Sequence, residues 1–173
     1  MSTVTPAWRT AAHVVARPPP DDWRDALATR LGRRPRRVGL WTELAMYGAR
    51  ACLDAAGEAA LPPGARLRVT SQRGAWEATR AGLAQLDAGL PMPFTFMQSQ
   101  PALMLAEVGR CLDWQGDASF MLCRDLARPL ALSQLGAGRD GLLFGVVEEA
   151  YGDVPPRTEW WRLVPNDQPE IER

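Results

Sequence analysis

"GDASFMLCRDLARPLAL", residues 116–132, is the stretch on which the reading of this chain turns. Its apolar run "ASFMLC" (118–123) reads as a strand, and Arg124-Asp125 make a turn. "LARPLALSQLGAG" (126–138) then brings apolar residues back at helical spacing, with Pro129 in the first turn, where a missing N–H costs little. A strand, a sharp turn and a helix with a thiol at the junction is how several enzyme classes present a nucleophile. Cys123 is therefore a candidate nucleophile. The simpler reading is the end of a buried strand, because free cysteine is among the most buried residue types.

The text on either side has the same alternating character. "LWTELAMYGARACLDAAG" (40–57) places Leu40, Leu44, Tyr47, Ala51 and Ala55 three and four residues apart, with Gly57 to end a helix. "ARLRVTS" (65–71) alternates like a strand, "AWEATRAGLAQLDAG" (75–89) is a second helix, and "ALMLAEVGRCL" (102–112) a third. "LPMPFTFMQSQP" (90–101) has too many prolines for regular structure and reads as a loop. "DGLLFGVVEEA" (140–150) is the continuous apolar run of a strand buried on both faces, and "TEWWRLVP" (158–165) reads as a last strand at a sheet edge. The fold class is α/β, an α-β-α layered domain over 38–165 with a mixed sheet of about five strands. Residues 1–37 are expected to be irregular apart from a short strand at "AAHVVAR" (11–17), and 166–173 to be a tail.

Composition excludes several classes. The 173 residues suffice for one substantial core, and a formal net charge of zero demands no nucleic-acid partner. All twenty basic residues are Arg, so no lysine is present to act as Schiff base, general base or phosphate clamp. Cys52, Cys111 and Cys123 are odd in number and far apart, which indicates neither a disulfide framework nor a metal site. No signal-peptide pattern and no apolar run near 18 residues occurs, so a cytoplasmic protein without membrane insertion is expected, and no cofactor is implied.

In their order, residues 38–150 resemble the N-terminal half of a β-ketoacyl-acyl carrier protein synthase, an enzyme of the thiolase fold. "ARACLDAAG" (49–57) is similar to the family helix that ends in an Ala-Gly turn, and "RLRVTSQRG" (66–74) to the strand after it. "PMPFTFMQSQPALMLAEVGRCLDWQGDASFML" (91–122) resembles the passage from a Pro/Phe loop through a helix to the nucleophile strand. "DGLLFGVVEEA" resembles the strand that follows the nucleophile helix.

The resemblance also defines what is missing. An active synthase carries its cysteine in a Thr-Ala-Cys-Ser-Ser type elbow; ungapped superposition of 116–132 puts Asp125 there and Cys123 two residues earlier. The family's second half supplies two histidines and a lysine, whereas the only histidine here is His13. The resemblance thus implies a truncated, non-catalytic ketosynthase-like or chain-length-factor-like accessory protein of fatty acid or polyketide-type synthesis, of the kind found in aryl-polyene pigment clusters. The implied partners are a ketosynthase or a second copy in a dimer, and an acyl carrier protein or acyl chain. The rival reading is a small acyl-transfer or thioester-hydrolysing enzyme using Cys123 or Asp125, with Glu148 or His13 as base.

Three further features carry expectations. Arg33, Arg34, Arg36 and Arg37 could dock the acidic surface of a carrier protein, or form a solvated loop. Phe94, Phe96, Met97, Met104 and Met121 are candidates for an acyl pocket or subunit interface, with core packing as the alternative. Glu148-Glu149 is expected at a solvated strand end, and one indole of Trp160-Trp161 towards solvent or a partner. Helices 102–112 and 126–135 are apolar over most of their circumference, more than one five-stranded sheet can cover, and this predicts an obligate dimer.

Overall fold

The structure, a computed structural model, describes residues 8–125 and 127–166. In chain order these form β1 (Trp8–Ala16), α1 (Trp23–Leu31), α2 (Leu40–Ala55), β2 (Arg66–Ser71), α3 (Trp76–Asp87) and α4 (Pro93–Gln98). They continue through α5 (Pro101–Cys111), β3 (Ala118–Leu122), α6 (Ala127–Leu135), β4 (Leu142–Glu148) and β5 (Arg157–Pro165). The strands make one mixed sheet in the order β1-β5-β4-β2-β3. β2 pairs in parallel with both β3 and β4, whereas β5 runs antiparallel to β4 and β1. The expected α/β class and five-stranded mixed sheet are what the structure shows.

One face of the sheet carries the main core. Leu67 and Val69 of β2, Leu143 and Val147 of β4, and Trp160 of β5 pack there against α2, with Met104 and Val108 of α5 completing it. On α2 the buried positions are Trp41, Thr42, Leu44, Ala45, Met46, Gly48, Ala49, Cys52 and Leu53. The helix is as expected, but its buried stripe is turned one residue from the expected line, and Ala55 is exposed. Small residues decide this. Trp160 lies between Gly48 of α2 and Gly145 of β4, where an added Cβ would come within 2.4 Å and 2.6 Å of its indole atoms. Only glycines leave room for the ring, and the ring fixes which face of α2 meets the sheet. The Trp160 Nε1–H donates to Thr158 Oγ1 (2.9 Å), whose hydroxyl donates to the carbonyl of Leu44 (3.0 Å), so these two buried groups are paired.

The opposite face carries a smaller cluster of Leu142, Phe144, Val146 and Leu163, against which Trp8, Leu130, Ala137 and Trp161 pack. β4 is buried at all seven positions, as its unbroken apolar run predicts.

Three expectations need correction. β5 is not an edge strand: β1 runs from Trp8 to Ala16 and covers it from Pro165 to Thr158. Its arginine is paired inside. Arg162 is 1% exposed and forks onto Glu58 at 2.6 and 2.8 Å, while donating to the carbonyls of Asp140 and Leu163. The N-terminal segment is more regular than expected, with a nine-residue strand and with α1, whose Leu27 is buried and whose C-cap Gly32 takes the left-handed conformation. The Pro/Phe loop contains the short helix α4, opened by Pro93 at its first turn. Of the expected tail, residues 167–173 lie outside the described residues.

Candidate functional site

Parallel strands β2, β3 and β4 end on the same side of the sheet, the side where open α/β sheets usually hold their ligands. Three loops meet there, after Ser71, after Leu122 and after Glu148.

At the middle loop the expected strand–turn–helix geometry is present. Cys123 N–H donates to the carbonyl of Ser71 (2.9 Å), which extends the β3 pairing by one residue. The thiol is half-buried, not buried as the strand-end reading expects, and it donates to the carbonyl of Asp125 (3.2 Å). Asp125 accepts from the N–H of Ala127 (3.1 Å) and pairs with Arg128 (3.2 Å). Its carboxylate is thus engaged by the first residues of α6.

Glu148 and Glu149 are not a solvated strand end, being 8% and 4% exposed. Glu148 accepts from the Ser71 hydroxyl (3.0 Å) and from the N–H of Gln72, and Glu149 accepts from the N–H of Glu77 at the start of α3 (2.7 Å). Burial raises both pKa values above the ordinary carboxylate range, with the backbone N–H donors pulling the other way. The Ser71 oxygen accepts in turn from the N–H groups of Gly74 (2.8 Å) and Arg73 (3.2 Å). Its donor and acceptors are thus all engaged, and these groups form a clamp on the β2–α3 loop. Sequence reasoning missed the clamp because adjacent acids at a strand end carry no mark of burial.

The structure separates the remaining members of any triad. His13 on β1 bonds Glu159 (2.8 Å) and stacks on Trp161 with ring centroids 4.6 Å apart. Between β1 and β3 lie three strands, so His13 stands roughly 19 Å of sheet width from the Cys123 loop, at about 4.8 Å per strand step. Among the described residues no hydrogen bond or ion pair links Cys123 to an imidazole or carboxylate side chain. The indole expected to face outward is Trp161, half-buried under His13, while Trp160 is buried completely.

The acyl-pocket and interface candidates do not converge. Met104 is fully buried in the core, which removes it as an interface residue. Met121 is half-buried on β3, pointing away from the face where Phe120 meets Trp41. Phe94, Phe96 and Met97 of α4 are exposed, beside exposed Leu83, Leu86 and Leu90 from α3 and its end. A second exposed apolar group lies at Leu122, where β3 ends, and at Leu132 and Leu135 of α6, the last 78% exposed. β3 is also an edge strand, paired only with β2 among the described residues.

The arginine run forms one wall of a cleft of about 620 Å³ between the 33–38 loop and α5. Arg33, Arg34, Arg36 and Arg110 line it over Leu31, Val38 and Met46. Arg34 is paired with Asp25 and Arg110 with Glu107; Arg37 does not line the cleft.

No protein-family model matches the chain, and no curated protein does. Solved structures do match. A chain from the complex of a ketosynthase with its chain length factor from Xenorhabdus doucetiae superposes with a TM-score of 0.68 at 16% identity. The alignment covers 92% of this chain and 79% of that one. The fold is ketosynthase-like. At that identity the likeness is one of architecture, and it runs over nearly the whole sheet and helix set described above.

Proposed function

We propose that this chain is a non-catalytic ketosynthase-like accessory protein of fatty acid or polyketide-type biosynthesis, in the cytoplasm, in a pathway of the aryl-polyene pigment kind. The carrying observation is a ketosynthase-like fold in which the Asp125 carboxylate accepts from the N–H of Ala127 and the chain's one histidine stands on the far edge strand. Its action is association. The unpaired edge of β3 and the exposed leucines of α6 form the surface for a ketosynthase or for a second copy of the chain. The 79% coverage of the similar chain supports this, because that chain is only slightly longer than this one, whereas a complete synthase stacks two such halves. Phe94, Phe96 and Met97 provide apolar contacts for a partner or an acyl chain, and the exposed Arg33, Arg36 and Arg37 the basic rim for an acidic carrier protein.

The test is intact-mass measurement of the purified chain after incubation with hexanoyl-coenzyme A, alongside co-purification with a ketosynthase from the same genome. The proposal expects no acyl adduct and a stable complex. A hexanoyl adduct on Cys123 or Asp125, or turnover of the thioester, overturns the non-catalytic reading in favour of a small acyl-transfer enzyme.

A further inference from the structure

The cleft behind the arginine loop has properties that a docking rim does not need. It is concave, and its volume of about 620 Å³ lies in the range of small-ligand sites. Its floor is apolar, from half-buried Leu31 and Val38 and buried Met46. Four guanidinium groups line it against one carboxylate, Glu107, which is already paired with Arg110 at 2.8 Å. Arg34 is held by Asp25 from outside the cleft, and neither Arg33 nor Arg36 has an ion-pair partner among the described residues. Like charges gathered over an apolar floor repel one another unless an anion joins them.

The backbone is set to hold this arrangement. Pro35 fixes one turn of the loop, and Arg37 takes a left-handed conformation with φ 64°, which side chains other than glycine and asparagine seldom adopt. Strain of this kind persists where the surrounding structure imposes it and clusters at ligand-holding loops. The left-handed turn ends the arginine run just before Val38 re-enters the floor. Arg110 also lines a neighbouring hollow of about 370 Å³ with Leu105, Ala106 and Trp114, which continues the apolar surface along α5. Trp114 in that hollow is 7% exposed, and its indole N–H has no hydrogen-bond partner among the described residues.

We infer that this cleft binds a small amphipathic anion. A phosphate or carboxylate head is held by Arg33, Arg36 and Arg110, and an apolar stem of several carbons lies on Val38 and Met46. Guanidinium forks match both heads bidentately, which a lysine-based site would not. A carrier-protein surface resting on the outer rim leaves the floor unfilled, and a small ligand is the occupant that fills it. The inference does not rest on the accessory role, because ligand binding is read on the isolated chain and partner binding on the complex.

Calorimetric titration of the full chain with hexyl phosphate, hexanoate and inorganic phosphate tests it, comparing wild type with Arg33→Gln/Arg36→Gln and with Arg80→Gln on α3 as control. Hexyl phosphate or hexanoate is expected to bind saturably, at least tenfold more tightly than inorganic phosphate, and the stronger of the two names the head. The double variant is expected to lose about tenfold per arginine removed, with an unchanged melting temperature, while Arg80→Gln binds as wild type. Three results overturn the inference. They are no saturable binding at millimolar ligand, equal affinity for inorganic and alkyl phosphate, or a double variant that binds like wild type.

Discussion

Removing the Glu148 side chain tests whether the carboxyl end of the sheet is a clamp or a reaction site. In Glu148→Ala the Ser71 hydroxyl and the Gln72 N–H both lose their acceptor, and Ser71 is fully buried. A buried donor left unpaired costs about 1–3 kcal/mol. The Ser71 hydroxyl is such a donor while the Gln72 N–H is only partly buried, so, less the relief of no longer burying a carboxylate, the net loss is about 1–2 kcal/mol. For a chain of this size that corresponds to roughly 2–8 °C in melting temperature. Glu148→Gln keeps one acceptor oxygen and removes the charge, so its loss at neutral pH is much smaller. The pH dependence adds a second readout. Burial raises the folded-state pKa above the ordinary 4.5, so the folded state holds the proton more tightly than the unfolded state does. Stability from this group is therefore greatest below about pH 4.5 and falls as pH rises through the raised folded value; Glu148→Gln flattens that fall. The assays are thermal melts from pH 4 to 8 and hydrolysis of hexanoyl-coenzyme A. A Glu148→Ala protein that melts with wild type, or wild-type thioester turnover abolished by Glu148→Gln, refutes the clamp.

Other outcomes follow from the same packing. Gly145→Ala places a methyl 2.6 Å from the Trp160 ring between two rigid layers, and is expected to cost about 1–3 kcal/mol in denaturant melts with a changed tryptophan emission. Thiol labelling of the native protein at pH 7 is expected at Cys123 first. Burial pushes the Cys52 thiol up to about 12 and the Cys111 thiol to about 11, and mass mapping that finds Cys52 modified in folded protein contradicts this core. Cys123→Ser is expected to melt within about 1 °C of wild type and to keep partner binding, because a serine hydroxyl can also reach the Asp125 carbonyl. Leu135→Glu changes a side chain that is 78% exposed in the single chain, so it is expected to leave folding stability within about 0.5 kcal/mol while weakening association at least tenfold by sedimentation.

The elements legible in the sequence are those whose apolar spacing coincides with their burial. β4 reads as buried on both faces because every residue from Leu142 to Val147 is apolar or glycine. The β3–α6 junction was legible because a strand pattern changes to a helix pattern across Arg124-Asp125. What stayed hidden depends on partners distant in sequence. The burial of Arg162 was hidden because its neutralising Glu58 lies 104 positions away, and the place of β5 inside the sheet because β1, which covers it, comes from the far end of the chain. Glu148 and Glu149 looked solvated because their donors, the Ser71 hydroxyl and the N–H groups of Gln72 and Glu77, lie more than 70 positions away in sequence. α1 left a weak signal: Trp23, Leu27 and Leu31 recur every fourth residue before Gly32, but the preceding prolines suggested irregular chain. The arginine run was visible; the apolar floor beneath it was not, since Met46 comes from the middle of α2.

The central claim is that this fold works by pairing rather than by catalysis, and mass in solution tests it most directly. Light scattering of the purified chain across 1–100 µM, alone and with a ketosynthase from its genome, measures whether the β3 edge and the α6 leucines are occupied. The account predicts a dimer of the chain or a one-to-one complex with the synthase, lost in Leu132→Glu/Leu135→Glu while the variant remains folded. A well-folded monomer throughout that range, with no exposed-hydrophobe dye binding and no complex with the synthase, would contradict it.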